Sequence, residues 1–463
     1  MSKQMKVLPY LFLFLITAST VAKAQNRYEL TVRDAVELAY KNVIELKNVQ
    51  VDYKIQEALN REIIGRALPQ ITANAGTQYY LKLPQILFPN GADAGIYNVL
   101  VKEKILPQGT PIPSPTLVPV SFQQPWNVAA GAGFQQLLFQ PDVFVGIQAR
   151  QTALDLSNAF IEQTKEKIKD SAYRRYYAIL IAQKQLYFLN EGVRRLEKLY
   201  NDDSIMFKNG FAERLDLDKV QVQLNNLRTT TSFVESSVNL SYAALKFALG
   251  LSQKDTVVLK EELTTEAIKE NMLDENFKYE DRAEIRTLDY TRRFRELDVK
   301  RNKLGYLPTV ALAGNYSVNG LGQKFFTDKD TRWLKSAFVG LNLNLPIFDG
   351  GQRKARVKQA QLNVEKIDNN IENVKQVIDL QQTVSKEVLK NSLVNLDTQQ
   401  RNMALAENVY NATKKKFEAG IGSSFEVLQA DNDWQTSQSN YFNALYNAII
   451  AKIGFQSSLG KLQ

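Results

Sequence analysis

Cysteine and histidine are both absent from this chain of 463 residues. Without cysteine, neither a disulfide framework nor a lipid-modified N-terminal cysteine can form. Without histidine as well, the chain lacks the usual soft metal ligands and the commonest general base. The remaining residues offer no nucleophile–base pair, no metal-ligand cluster and no phosphate-binding loop. The sequence therefore predicts a protein that is not an enzyme and that needs no metal or cofactor.

Long apolar runs are also missing, except for a short one near the start. Lys3 and Lys6 precede an apolar run over residues 7–18, which the tripeptide Ala22-Lys23-Ala24 follows. This order is typical of a secretory signal peptide over residues 1–24, and the run is shorter than the ~18 to 20 residues of a membrane-spanning helix. No longer apolar run follows. If the mature chain crosses a membrane, we expect it to do so with strands.

The charge of the chain gives little indication of a partner. Its formal net charge is +9, which could suggest nucleic acid. However, basic residues alternate with acidic ones, as in Lys165-Glu166-Lys167 and Glu365-Lys366. This mixture is typical of a solvated helix surface and not of a basic stripe, so nucleic acid is not an expected partner.

The chain contains the same segment order twice. Residues 210–249 and 420–459 align at a constant offset of 210 without a gap, and a second offset of 239 relates residues 44–46 to 283–285. Self-similarity of this kind indicates a duplicated architecture. The sequence predicts a first structural repeat over 25–250, a linker or equatorial segment over 251–281, and a second repeat over 282–463.

Each repeat is expected to hold a very long helix and a shorter return helix. The expected helices lie at about 143–208, 213–250, 352–417 and 423–459. The apolar residues of the second long helix follow a strict 3-4 spacing, which is typical of a coiled-coil seam. These residues are Val357, Ala360, Val364, Ile367, Ile371, Val374 and Ile378.

Strands give a second, different pattern. Four segments alternate with period two, at about 70–82, 126–139, 308–318 and 335–347. In the last segment Leu341 and Leu343 share an apolar face, and Asn342 lies on the other. Such segments fit either a half-buried soluble sheet or a transmembrane barrel, and four of them at repeated places in an exported chain favour the barrel. The proline-rich residues 83–125 between the first two strands are expected to form a long loop without helical periodicity.

Four strands are too few to enclose a channel, because about eight are needed to fill even a closed interior with side chains. An open sheet of four strands would also leave two bare edges in lipid. We therefore expect self-association, and three chains would supply twelve strands.

These features resemble the TolC-type outer-membrane efflux family over essentially the whole mature chain. The resemblance is carried by the opening Leu30-Thr31-Val32-Arg33-Asp34-Ala35, by the Leu-Pro that begins each first strand, by residues 345–351 (LPIFDGG), by residues 417–428 (FEAGIGSSFEVL) and by the closing Leu459-Gly460. It implies an α+β membrane protein whose homotrimer forms a twelve-stranded β-barrel continued by an α-helical barrel.

The same resemblance implies a function. The chain is expected to be the outer-membrane channel of a tripartite efflux or type I secretion system. It would lie in the outer membrane, with its helices in the periplasm. Its implied partners are outer-membrane lipid, a periplasmic adaptor protein and an inner-membrane transporter. An alternative is a periplasmic trimeric coiled-coil adaptor or adhesin, which would explain the helices and the signal peptide but would need neither the strand pairs nor the proline-rich loop.

The resemblance also points to a periplasmic gate. The tip turns would contain Gly210 and Gly420, because the chain reversal there needs positive φ. Six residues after each glycine stands a carboxylate, Asp216 or Glu426. In the family the carboxylate that matches Glu426 lines the tunnel constriction. A simpler reading is that both acids favour the positive end of a helix dipole.

The gate residues depart from the family pattern at three positions. Gln429 replaces an acidic partner of Glu426, whereas Asp433 lies on the same helix face as Glu426. In the family a tyrosine and an arginine latch the acid that matches Asp216, and Phe417 and Gly422 occupy their places here. That latch cannot form in this chain as it does in the family, so we expect the gate to be closed in another way or less tightly.

Overall fold

The computed structural model describes residues 26–90, 92–111, 114, 116–261, 277–325, 329 and 331–462. The signal peptide expected over residues 1–24 lies outside these residues. The chain divides into two units. The helical unit contains the chain up to Gln56 together with Thr152–Phe294 and Asn363–Gln463, and the sheet unit contains Glu57–Gln151 and Arg295–Leu362.

Helices make up most of the chain. In chain order they are α1 (Val32–Asn42), α2 (Ile44–Ala67), α3 (Ala92–Lys102), α4 (Pro141–Lys208), α5 (Arg214–Ala248), α6 (Ala283–Leu304), α7 (Gln352–Glu418) and α8 (Ser424–Ser458). The long helices α4 and α7 have 68 and 67 residues, and the return helices α5 and α8 have 35 each. Within the described part of the chain, every helix is too short or too polar for a membrane crossing.

Local sequence explains where the long helices begin. Helix α4 starts at Pro141, whose fixed φ suits a first helical position and whose missing N–H is not needed there. Helix α7 follows Gly350 and Gly351, which have φ of 64° and 84°. The Asp349 carboxylate then accepts the Arg353 backbone N–H at 3.0 Å, which satisfies a free donor of the first turn.

The repeat is visible at the helix ends. Helices α4, α5, α7 and α8 are each followed by a glycine with φ between 66° and 77°, namely Gly210, Gly250, Gly420 and Gly460. In each case the next residue donates its N–H to a carbonyl five positions earlier, as in Phe211 to Met206 and Ile421 to Lys416. This pattern is the Schellman motif, in which glycine avoids the Cβ penalty of the left-handed region.

The expected seam is buried. Ala360, Ile371 and Ile378 of α7 are all buried, and the remaining seam residues of that helix are at least half-buried. The largest core of the helical unit joins α1, α4 and α8 through residues such as Val36, Ile179 and Ile449. The 3-4 spacing therefore predicted the packing face of this helix correctly.

A small parallel sheet completes this core. Strand β1 (Arg27–Leu30) pairs with a strand of the expected linker, Thr256–Leu259. The Tyr176 hydroxyl donates to the Leu30 carbonyl at 2.9 Å and fixes the sheet on α4. The linker expected over 251–281 therefore contains a strand, which the β-branched run at residues 256–258 favours. Residues 262–276 lie outside the described residues.

The sheet unit contains a hairpin of two short strands and a larger antiparallel sheet. In chain order its strands are β2 (Gln70–Tyr79), β3 (Ile86–Asn90), β4 (Thr116–Val120), β5 (Trp126–Phe139), β7 (Thr309–Gly322) and β8 (Arg332–Asn344), the linker strand Thr256–Leu259 being β6. The larger sheet has the order β2-β5-β7-β8, so β2 and β8 are its edges.

Register gives this sheet two distinct faces. Ile71 pairs with Phe134, and two positions further on Ala73 pairs with Ala132, so small and apolar residues continue across the strands. On the opposite face Ser317 pairs with Ser336 and their hydroxyls lie 2.8 Å apart. The other face thus carries polar, mostly uncharged residues, among them Thr72, Asn74, Asn127, Asn315, Asn319 and Asn342. Of the two charged residues in these four strands, Arg332 lies on this polar face and Lys335 on the apolar one.

Three expectations for the sheet unit need correction. The strand expected over 308–318 continues to Gly322, because it stays paired with β5 as far as Trp126. The strand expected over 335–347 begins earlier, at Arg332, and ends at Asn344, two residues before Pro346, which has no N–H for the ladder. The first strand, expected to reach residue 82, ends at Tyr79.

The proline-rich segment 83–125 is more ordered than expected. It contains the hairpin β3–β4 and the helix α3 over Ala92–Lys102. No proline lies between Pro89 and Pro107, so a helix can form there without a lost hydrogen bond. The expectation of a loop without helix was wrong for this stretch.

Candidate functional site

The two tip turns present apolar side chains to solvent. Gly210 and Gly420 adopt φ of 77° and 75°, which lets α4 and α7 end and the chain reverse. The following residues, Phe211 and Ile421, are 80% and 82% exposed. The structure thus places an exposed apolar residue at the same point of both repeats.

Helix α8 begins with a side-chain cap that α5 lacks. The Ser423 hydroxyl accepts the Glu426 backbone N–H at 3.3 Å, whereas the matching cap residue Glu213 of α5 makes no such bond. A Cβ at Gly422 would lie 3.3 Å from both the Glu426 carboxylate and the Phe417 backbone nitrogen. Gly422 therefore allows Glu426 to lie close to the turn. Phe417 itself is half-buried and packs on the core of the tip.

The carboxylate of the first repeat is neutralised. Lys219 Nζ lies 3.3 Å from Asp216 Oδ1, and the same ammonium lies 4.7 Å from the centre of the Phe425 ring in α8. Lys219 therefore ties the start of α5 to the start of α8. The simpler interpretation is that the positive end of the helix dipole stabilises the carboxylate. It suits Asp216 well, because this residue lies in the first turn of α5.

The carboxylates of the second repeat are not neutralised in this way. Gln429 occupies the position that matches Lys219 at the offset of 210, and its amide donates to the Asp433 carboxylate at 3.1 Å. Among the described residues, the Glu426 side chain has no cationic partner. The second repeat therefore leaves two acids, Glu426 and Asp433, uncompensated within two turns of α8.

Sequence reasoning missed a buried acid near the same turns. Asp203 of α4 is fully buried. Burial raises the pKa of its carboxyl, and the nearby Ser424 hydroxyl offsets this only in part, while Asp216 and Asp202 raise the pKa further. The position that matches it in the second repeat is Thr413. This difference in charge between two matching positions is the sequence signal that points to Asp203.

Sequence reasoning also missed a buried ion pair. Arg195 Nε of α4 donates to Asp431 Oδ1 of α8 at 2.8 Å, and the side chains are 18% and 1% exposed. Burial raises the pKa of the Asp431 carboxyl, an effect that Arg195 counteracts. The Gln435 amide donates to the second carboxylate oxygen. Both charges resemble ordinary surface residues in the sequence, and their burial depends on the packing of separate helices.

Aromatic rings enclose the guanidinium of this pair. The Arg195 Cζ atom lies 4.1 Å from the centre of the Trp434 ring and 5.6 Å from that of Tyr410. The two rings stack on each other at 5.1 Å. Residues of α4, α7 and α8 therefore meet at one charged and aromatic cluster, which we call the Arg195 cluster.

The chemistry available at the tip is electrostatic. No group of three or more acidic, histidine or cysteine side chains in the described ranges could hold a metal ion. The acids of α8 can attract cations, and the exposed apolar residues of the turns can contact another protein.

Comparison with known proteins agrees with the expected family. A family model described as outer membrane efflux protein matches residues 283–461. The chain is 21% identical over 345 residues to the outer membrane protein TolC of Vibrio cholerae serotype O1, covering 72% of this chain and 77% of that protein. It is 21% identical over 338 residues to the alkaline protease secretion protein AprF of Pseudomonas aeruginosa, covering 68% and 66%.

Solved structures share the fold. The crystal structure of CusC, described in terms of folding and transmembrane channel formation, has a TM-score of 0.71 and 14% identity, covering 92% of this chain and 91% of that chain. The outer membrane protein VceC of Vibrio cholerae has a TM-score of 0.67 and 12% identity, covering 93% and 96%.

Proposed function

The chain belongs to the TolC-type outer-membrane efflux protein family, and from this premise we propose that it is the passive duct of a tripartite efflux or type I secretion system. It lies in the outer membrane, with its helical part in the periplasm. In this proposal the chain carries no reaction of its own. A periplasmic adaptor and an inner-membrane transporter supply the substrate and the energy.

The observation that carries the proposal is the open sheet of four strands. One of its faces is mostly apolar, the other is mostly polar and uncharged, and its outer strands β2 and β8 each have one edge without a partner within the described chain. Unpaired edges are not tolerated in lipid. Pairing of β2 with β8 of a neighbouring copy satisfies both edges, and three copies give a twelve-stranded barrel with a polar interior.

Two helices offer matching evidence for self-association. Helix α5 exposes a row of large apolar residues at intervals of seven or eleven: Leu215, Val222, Phe233, Leu240 and Phe247. Helix α7 exposes a second row, which includes Leu380, Val384, Val388, Val394 and Leu405. A monomer would leave both rows in water. Packing between copies of the chain would bury them.

The tip fits the gated end of such a duct. Glu426 and Asp433 are uncompensated acids, and three copies of the chain would form a ring of them. The exposed Phe211 and Ile421 offer the adaptor an apolar contact in each repeat. The alternative, a periplasmic adaptor or adhesin, gives no role to a sheet with one mostly apolar face.

The test is reconstitution. Purified protein should run as a trimer in non-denaturing detergent and should produce discrete conductance steps in planar lipid bilayers. A stable monomer without conductance would refute the proposal. A soluble trimer that does not insert into lipid would support the adaptor instead.

Membrane insertion can be tested on one strand. Leu341 lies on the apolar face of β8 and Asn342 on the polar face. Leu341→Arg should destabilise insertion by roughly 2 to 4 kcal/mol if the residue lies near the bilayer midplane, whereas the matched variant Asn342→Arg should insert normally. Equal insertion of the two variants, measured in outer-membrane fractions, would mean that the faces are assigned wrongly.

A further inference from the structure

The Arg195 cluster joins the two repeats next to the tip. Arg195 belongs to the long helix of the first repeat, and Asp431, Trp434 and Gln435 belong to the return helix of the second. We propose that this cluster is a clamp that holds α8 on α4 and thereby fixes the position of Glu426 at the gate. This inference rests on the proposed function, because it assigns the regulation of the same tip.

Burial makes the clamp costly to open. The Asp431 side chain is almost completely enclosed, and both of its oxygens accept hydrogen bonds, from Arg195 and from Gln435. If α8 moved away from α4, the carboxylate would lose the guanidinium while still surrounded by protein. A buried charge without its partner is strongly unfavourable. The cluster therefore favours one arrangement of the two helices over intermediate ones.

The rings restrict the guanidinium sideways. The Arg195 guanidinium packs against the Trp434 ring of α8, and the Tyr410 ring of α7 stacks on the Trp434 ring. Planar guanidinium groups suit such stacking, which an ammonium group cannot reproduce. The clamp therefore holds three helices, and Arg195→Lys should not replace it.

A glycine in the middle of α4 makes space for the cluster. A Cβ at Gly192 would lie 3.1 Å from Leu227 of α5 and 3.5 Å from both Arg195 and Gln435. Glycine inside a helix costs stability relative to alanine. Three helices approach one another closely at this point, and glycine leaves room for them because it has no Cβ.

The ion pair is present at only one of the two matching junctions between a long helix and a return helix. At the offset of 210, the position matching Arg195 is Leu405, and the position matching Asp431 is Gln221. Gln221 bonds to Asn225 of its own helix at 3.0 Å, and Leu405 is exposed. The duplicated helices thus carry an ion pair at one junction and neutral residues at the other. The second-repeat return helix is fixed within the chain, and the first-repeat return helix is not fixed in this way.

The clamp is close enough to Glu426 to control it. Asp431 follows Glu426 by five residues on α8, which is about 7.5 Å along a helix axis. A helix is stiff over this length. Any shift or rotation of α8 at the clamp therefore moves the carboxylates of the gate, so Arg195 acts as a positioning residue for Glu426.

The repeat itself supplies the test variants. Arg195→Leu leaves Asp431 without its partner, and the double variant Arg195→Leu with Asp431→Gln installs the residues that the chain uses at the matching junction. The double variant removes both charges and should keep a melting temperature close to that of the wild type. Arg228→Leu is the matched control, because Arg228 pairs with Glu197 across α5 and α4 at 2.6 Å but is exposed.

Two measurements test the clamp separately from the proposed channel function. Single-channel recording should show that the ratio of open to closed dwell times changes roughly fivefold or more in both the single and the double variant, the lower end of typical coupling effects. Because the chain has no cysteine, Phe211→Cys and Ile421→Cys can carry spin labels in trimers diluted with unlabelled chains. The distance distribution between the two tips should broaden in both clamp variants and remain narrow in Arg228→Leu.

The outcomes are distinct. A double variant with native dwell times and a native distance distribution would overturn the clamp. If the wild type forms no channel but the tip distances broaden on loss of the pair, the clamp stands and the proposed function fails. If only Arg195→Leu changes and the double variant is native in both measurements, the pair is a packing feature and the inference is wrong.

Discussion

The return helices α5 and α8 have the same length, the same offset from their tip glycines and the same Schellman end, yet they differ in how much of their surface is covered. Fifteen of the 35 residues of α8 are buried, against seven in α5. Helix α8 is covered on two sides, whereas α5 is covered along one stripe. The duplication therefore preserved the backbone while the two helices acquired different neighbours.

Side chains at matching positions show what changed. Phe442 of α8 is 4% exposed, and the matching residue of α5 is Ser232. Likewise Leu445 matches Glu235, and Ile449 matches Asn239. The second buried face of α8 thus became polar in α5, and α5 instead exposes an apolar row on a different side. The repeat thus determines the length and the ends of both helices, whereas their side chains determine which parts of the protein each helix packs against.

The largest expected effect concerns the exposed row of α5. Leu240→Glu should abolish assembly, because a leucine that is buried between copies contributes about 1.5 to 3 kcal/mol and a buried carboxylate adds a further penalty. Size-exclusion chromatography in detergent with light scattering gives the oligomeric state. The adjacent change Asn239→Glu, on the polar side, should leave the assembly intact. If Leu240→Glu assembles normally, α5 has no neighbour on this side.

A second prediction concerns the extra buried face of α8. Phe442→Ser should destabilise the fold by roughly 3 to 5 kcal/mol, because the ring packs 5.2 Å from that of Phe188 and its loss leaves a cavity. At the matching position of α5, Ser232→Ala should change stability by at most about 0.5 kcal/mol. Thermal unfolding followed by circular dichroism at one scan rate compares the two. Similar midpoints would contradict the difference in burial.

A third prediction compares the two carboxylates proposed for the gate. Glu426→Gln should reduce the cation selectivity of the channel, because it removes an acid that has no cationic partner in the described part of the chain. Asp216→Asn should have a smaller effect, since Lys219 already neutralises that carboxylate. Reversal potentials in asymmetric salt measure both. A reversal potential that stays unchanged in Glu426→Gln would leave this residue as a helix-end acid only.

The smallest expected effect concerns Asp203. Its pKa is raised in the folded protein above the ordinary value of 3.8, so the folded state binds the proton more tightly than the unfolded state. The stability of the fold should therefore decrease as the pH rises from about 3.8 through the raised pKa. Asp203→Asn should increase the melting temperature at neutral pH and have less effect at acidic pH. A destabilised variant at neutral pH would show that the ionised carboxylate has a favourable partner.

Much of the fold could be predicted because it follows local patterns. The offset of 210 fixed the matching helix ends, the 3-4 spacing identified the buried face of α7, and the period-two alternation identified the apolar face of the sheet. Each of these signals depends on neighbouring residues in the sequence. The short pair β1–β6 was missed because it joins Arg27–Leu30 to residues 229 positions later.

The site was predicted less completely. The tip glycines and the acids that follow them could be identified from the repeat. The partner of Asp216 and the Arg195 cluster could not, because charged residues on long helices usually face solvent, and burial of Asp431 requires three helices to meet. The matching positions do carry a sequence signal for both features. Lys219 matches Gln429 and Asp431 matches Gln221, so each pair of positions differs in charge.

The equal lengths of the two helical hairpins limit how this chain can change by insertion or deletion. Helices α4 and α7 differ by one residue, and α5 and α8 do not differ. One residue added to a single helix would rotate everything beyond it by about 100° and turn its seam away from the core. A longer version would need about seven residues, or roughly 10.5 Å, in all four helices together. Such a chain can change its reach only in whole heptads, with both repeats changing at once.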